Sequence, residues 1–177
     1  MSTLQYVTTP SEGVNFNATY TAYDQTAAIS STNTPDNPGP PFQVGTIMNG
    51  TGDSQFIFVK ASAAIAAADV CLISKTNTAA GITTTNATYG ALVGVAVVAI
   101  ASGSYGWLQR SGQCGGIKTN AAAAINVRLA ATSTAGAIDD VVTTGTKNIG
   151  GIVLTTTATS AMSVAGVLNY PTVGTTN

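Results

Sequence analysis

The sequence contains no histidine, and that absence alone removes much of enzyme chemistry. Ser-His-Asp and Cys-His catalysis both need an imidazole as general base, and zinc centres built on imidazole go with it. Charge is the second shortage. Only 7% of residues are Asp, Glu, Lys or Arg, against about a quarter in an ordinary soluble domain. The basic residues Lys60, Lys75, Arg110, Lys118, Arg128 and Lys147 are scattered singly. With no basic run to track a phosphate backbone, no nucleic-acid partner is expected. Cysteine is scarce too: Cys71 and Cys114 lie far apart, outside any Cys-x-x-Cys unit. Two buried free thiols is the simple expectation. There is no Gly-x-x-x-x-Gly-Lys-Ser/Thr loop and no glycine fingerprint opening a helix, so nucleotide binding has no motif.

Long apolar runs are also missing. The longest, 91–101, is roughly half of what a bilayer-spanning helix needs, so no membrane partner is expected. The opening MSTLQYVTTP has neither a positive segment nor an apolar one, and synthesis in a cytosol without a secretory signal follows as an expectation. Asp139-Asp140 is the one acidic pair. Adjacent strand residues point to opposite faces, so a solvated turn is expected there rather than a calcium site. No enzyme, cofactor or metal is expected.

What is present is a hydrophobic fraction of 45%, enough to sustain a packed interior, under a neutral surface of Ala, Thr, Gly, Ser and Asn. Neutral surfaces associate readily because nothing repels a neighbour. Residues 1–41 carry spaced aromatics without a sustained period and end in Pro35, Pro38, Pro40 and Pro41. Proline fixes φ and biases its predecessor toward extended backbone. The expectation is an extended N-terminal arm, with Tyr6, Phe16, Tyr20 and Tyr23 as anchors in pockets of a partner or a sister subunit. Pro38, Pro40 and Pro41 would form its hinge.

From Phe42 the pattern is that of strands. FQVGTIM and QFIFVKAS flank Asn49-Gly50 and Gly52-Asp53, a hairpin signal. AAIAAADV is short and uncapped, so it reads as a loop entering the strand Val70-Cys71-Leu72-Ile73. LVGVAVVAI, the turn Ser102-Gly103-Ser104 and YGWLQR follow. Trp107, the single tryptophan, is expected to be a core anchor whose N–H finds a carbonyl. Residues 42–177 are thus expected to form an all-β domain, a compact β-barrel or a jelly-roll-like β-sandwich. An internal echo leaves open two related lobes, 42–110 and 111–177. In it, FVKASAAIAAADVCLISKTNTAAGITT and then LVGVAVV are answered by IKTNAAAAINVRLAATSTAGAIDD and then IGGIVLT.

The ordered series FIFVKASAAIAAADVC, LVGVAVVAIASGSYGWLQRSG, AINVRLAATSTAGAIDD, IGGIVLTT and LNYP resembles the small decoration (cement) proteins of tailed-bacteriophage capsids. The resemblance covers roughly Phe42 to Pro171. It implies a β unit on the outside of a virion shell, without catalytic residues or cofactors, binding the major capsid protein and itself as a homodimer or homotrimer. A tail or fibre subunit is the alternative of the same class. A carbohydrate-binding β module using Tyr105 and Trp107 is the alternative of a different one.

Overall fold

In the computed structural model, which describes residues 14–21, 40–141 and 145–176, every regular element is a strand. The turn at residues 50–54 joins β1 (Ile47–Asn49) to β2 (Gln55–Ala61) as the expected hairpin. The Ala-rich stretch after β2 enters β3 (Val70–Ile73) as a loop. Then come β4 (Thr78–Gly81), β5 (Leu92–Ala96) and, beyond the Ser102-Gly103-Ser104 turn, the long β6 (Tyr105–Lys118). The chain continues through β7 (Leu129–Ala131), β8 (Ile138–Asp139), β9 (Lys147–Leu154) and β10 (Ser163–Thr176).

The strands close into two rings. In the first, β2 pairs antiparallel with β6 and parallel with β4, β4 antiparallel with β3, β3 with β5, and β5 with β6. In the second, β6 pairs antiparallel with β10, β10 with β9, β9 with β7, and β7 with β8. A parallel bridge from Thr119 to Ile138 returns β8 to the end of β6. Strand for strand the two rings share one order and one set of directions. Closure leaves few open sheet edges, which suits a chain with so little charge to guard them.

The match extends to single residues about 58 positions apart. Ile65 bridges Ile100 in the first ring, and Ala123 bridges Ala158 in the second. Ala96 faces Leu108 as Leu154 faces Gly166. Ala68 and Asn126 both take the left-handed backbone, with φ of 68° and 56°. The interiors correspond as well. Val59, Ile65, Cys71, Ile73, Ala96 and Ile100 in one core answer to Ile117, Ala123, Leu129, Ala131, Leu154 and Ala158 in the other. Where the second ring shrinks Ile65, Ile73 and Ile100 to alanine, it enlarges Cys71 and Ala96 to leucine, so the losses are offset in part within the same core. The sequence echo is therefore a tandem repeat. No boundary falls between residues 110 and 111, because β6 closes the first ring and opens the second.

The two ends of the tandem are finished differently. Val70, Val93 and Val95, on the outer side of the first ring, belong to the core of the second. The equivalent positions of the second ring carry exposed Arg128, half-buried Asn148 and exposed Val153. At the other end, the outer face of β2 and β6 is covered by aromatics, described next. A polar or covered terminal face is what stops a repeat from propagating.

Candidate functional site: the aromatic layer and the ring junction

Phe56 and Phe58 on β2 and Trp107 on β6 form the floor of the aromatic layer, and all three are buried. Strand alternation places Phe56 and Phe58 on one face while Ile57 and Val59 fill the first ring. Phe16 lies on this floor, stacked on Phe56 with ring centroids 3.9 Å apart and edge-on to Trp107 at 5.1 Å. Phe42 reaches Trp107 at 5.1 Å, and Phe58 lies 5.0 Å from the indole. Tyr20 pairs its backbone with Tyr105 in both directions, at 2.9 and 2.7 Å, and sets its ring edge-on to Phe58.

Two expectations are corrected here. Phe16 is only 2% exposed, so it is a core residue of its own chain and not an anchor held out to a partner. Tyr20 is half-buried in the same layer and completes an edge of β6. Residues 14–21 are thus part of the β unit rather than of a separate arm. The physical reason is that β2 and β6 present an apolar outer face with no second sheet to cover it, and this segment supplies the cover. Tyr6, Tyr23 and Pro38 lie outside the described residues. Pro40 is half-buried and Pro41 is exposed, next to Phe42 in the layer.

Trp107 is the centre of this layer and fully buried. Its N–H, however, has no acceptor, against the expected bond to a carbonyl. The rings of Phe16, Phe42 and Phe58 crowd the indole, and β6 spends its carbonyls on its neighbouring strands. The sugar-stacking alternative needed an accessible Trp107, which the layer denies it.

The acidic pair also differs from expectation. Asp139 is buried, and its carboxylate accepts the Val141 N–H at 3.2 Å; Asp140 accepts the Ala124 N–H at 2.8 Å. Asp139 is thus a buried strand residue that accepts from its own turn, while half-buried Asp140 reaches the Ala124 backbone at the surface. No group of three metal-ligating side chains occurs among the described residues.

Two polar features mark the junction between the rings. In the first, Lys118 donates to Asp69 at 2.8 Å and to the Ala135 carbonyl at 3.1 Å, while the other Asp69 oxygen accepts the Ala66 N–H at 2.8 Å. This ties a loop of ring one to both β6 and ring two. In the second, Arg110 is buried on β6 with its guanidinium 5.6 Å from the Tyr170 ring centre. Neither would be found by periodicity, since each joins residues far apart in the chain.

Cys71 and Cys114 are free and buried. Burial raises the Cys114 thiol to about 11, and burial with the nearby Asp69 charge pushes Cys71 higher still. The thiolate is the reactive form. The folded protein is therefore expected to give no reaction with a thiol reagent at pH 8, and two equivalents per chain once denatured. A thiol titrating at the rate of a free one in native buffer would contradict this burial.

These features define a class: an all-β protein of two fused five-stranded rings, sealed at one end by aromatics. No protein-family model matches the chain, and no curated protein matches it in sequence.

Proposed function

We propose that this protein is a structural virion component that binds the outside of a tailed-phage capsid and bridges neighbouring major capsid protein subunits. The series of motifs from FIFVKAS to LNYP supports this, and so does the nearly neutral composition. The carrying observation is the terminal face of the second ring. There Val127 and Val153 are exposed at positions equivalent to Asp69 and Val95, through which the first ring presses on the second. Ile125 is exposed beside them. Arg128 and Asn148 interrupt this face, and the exposed apolar side chains around them attach by burial. Each contact can be modest, because many copies on a fixed lattice act at high effective concentration.

The test is sedimentation of the purified protein with undecorated shells. Full-length protein is expected to saturate the shells and to stay bound from low to molar salt, since screening weakens charge contacts and leaves apolar ones. Val127→Glu with Val153→Glu should fold normally and bind about tenfold more weakly, or less. A chain starting at Gly13 asks separately whether the residues before the aromatic layer, Tyr6 among them, contribute. A start at Pro41 would not ask this, because it removes Phe16 from the core. Failure of the full-length chain to bind any shell, or its release by salt, would sink the proposal.

A further inference from the structure

Laying the two rings over one another singles out a side chain that the fold does not need. Tyr170 on β10 occupies the place of Gly112 on β6, at the offset of about 58 positions seen throughout. Both take the left-handed backbone, Gly112 at φ of 84° and Tyr170 at 46°. Glycine adopts that conformation freely, whereas a bulky side chain is strained there. A Cβ at Gly112 would lie 2.8 Å from Ser54, so glycine is required at that position. At the sister position the strand carries a phenol ring instead. It is 48% exposed and belongs to no hydrophobic cluster among the described residues. Strain held by a side chain that the core does not use points to a role at the surface.

Tyr170 lines an open cavity of 460 Å³ together with Gly52, Asp53, Gly112, Gln113 and Asn169. That volume falls within the range of about 300–1,000 Å³ usual for small-molecule sites. The cavity crosses β6, with the β1–β2 turn on one side and β10 on the other. Its walls are tied in place. Buried Gln109 donates to the carbonyls of Ser111 and Gln113 at 2.9 and 2.7 Å, and Ser111 Oγ donates to the Asp53 carbonyl at 2.7 Å. The side chains of Asp53, Asn169 and Tyr170 are exposed and form no hydrogen bond with another described residue. The buried guanidinium of Arg110, 5.6 Å from the phenol ring centre, backs that ring.

We infer that this cavity binds a saccharide, with one sugar ring laid on Tyr170 and its hydroxyls bonded to Asp53 and Asn169. A pyranose ring has an apolar C–H face and a rim of hydroxyls. An exposed aromatic ring covers the first. A carboxylate that accepts on two oxygens, beside an amide that both donates and accepts, serves the second. Charge disfavours the other classes of ligand. The Asp53 carboxylate repels an anion such as a nucleotide, and the Arg110 guanidinium behind the ring repels a cation laid on it. A neutral ligand rich in hydroxyls fits both. The cavity shares no residue with the Val127–Val153 face, so sugar binding and shell attachment stand or fall separately.

The test is a titration of the full chain, followed by the NMR signals of its backbone amides, with the methyl glycosides of glucose, galactose, mannose and N-acetylglucosamine. With at least one of them, the amides of Asp53, Gly112, Gln113, Asn169 and Tyr170 are expected to shift saturably, at about millimolar strength. Tyr170→Phe keeps the ring and should bind within about threefold of the wild type. Tyr170→Gly and Asp53→Gly each supply the residue that a left-handed backbone favours. Both should keep the wild-type spectrum away from the cavity and lose about tenfold or more in affinity. A linear tetrasaccharide of the responding sugar separates two sources. Tighter binding than the monosaccharide assigns the site to a stretch of polysaccharide, and equal or weaker binding assigns it to a single sugar. Cavity amides unmoved by every glycoside overturn the inference, as does undiminished binding by Tyr170→Gly. So does a response of the same amides to adenosine or tetramethylammonium at lower concentration than to any glycoside.

Discussion

Trp107→Ala is expected to lower the unfolding free energy by about 3–5 kcal/mol, the usual cost of truncating a large buried aromatic. The indole is fully buried and touches Phe16, Phe42 and Phe58, so little can collapse into the space it leaves. A loss of that size is a large part of the roughly 5–15 kcal/mol that holds a domain together. Trp107→Phe should behave differently. It keeps most of the volume and removes an N–H that has no acceptor, so its cost should stay below about 1.5 kcal/mol. Denaturant unfolding followed by far-ultraviolet circular dichroism gives both numbers. Equal destabilisation by the two variants would mean that the indole N–H contributes after all. A negligible effect of alanine would mean that the aromatic layer does not hold the fold.

The same layer shows where local sequence signals end. Strands β2, β3 and β6 and the turns at 50–54 and 102–104 were legible because alternation and turn chemistry act over a few residues. The repeat was legible as an echo, but its register was not. Gly90 and Gly145 occupy matching left-handed positions before β5 and β9 at an offset shorter than that of Ile65 and Ala123, so insertions hide the alignment. The burial of Phe16 has no local signal. Nothing in its neighbourhood is periodic, and its partners Phe56 and Trp107 are distant in sequence. The closing strand also outran its signal. Tyr170-Pro171 reads as an end, yet β10 runs to Thr176. Proline is tolerated there because the ladder with β9 shifts register between Leu168 and Thr172. Of the candidate site, the apolar anchors could be read from composition. The Arg110–Tyr170 contact had no local signal, because it joins two strands far apart in the chain.

Gly136→Ala is the other substitution expected to act strongly, and it probes how the rings are held together. Gly136 has φ of 73°, where an L side chain costs roughly 1–2 kcal/mol. A Cβ there would lie 2.3 Å from the Asp69 carboxyl carbon and 2.4 Å from one of its oxygens. Asp69 cannot step aside cheaply, because its two oxygens are held by Lys118 and by the Ala66 N–H. Backbone strain and the displaced carboxylate together should cost about 3 kcal/mol or more. Asp69→Ala alone should cost less, about 1–2 kcal/mol, since Lys118 is one-third exposed and can turn to water. The double variant is the discriminating one. With Asp69 truncated to alanine the two shortest contacts at residue 136 go and only the one with the residue 69 Cβ, at 2.7 Å, stays, so the double loss should fall short of the two single losses by about 1 kcal/mol. The rings share β6 and part of one core, so each variant should unfold in a single transition. Additive losses would mean that the carboxylate is not what Gly136 makes room for. Two separated transitions in Gly136→Ala would mean that the Asp69–Lys118 tie, rather than the shared strand, couples the rings.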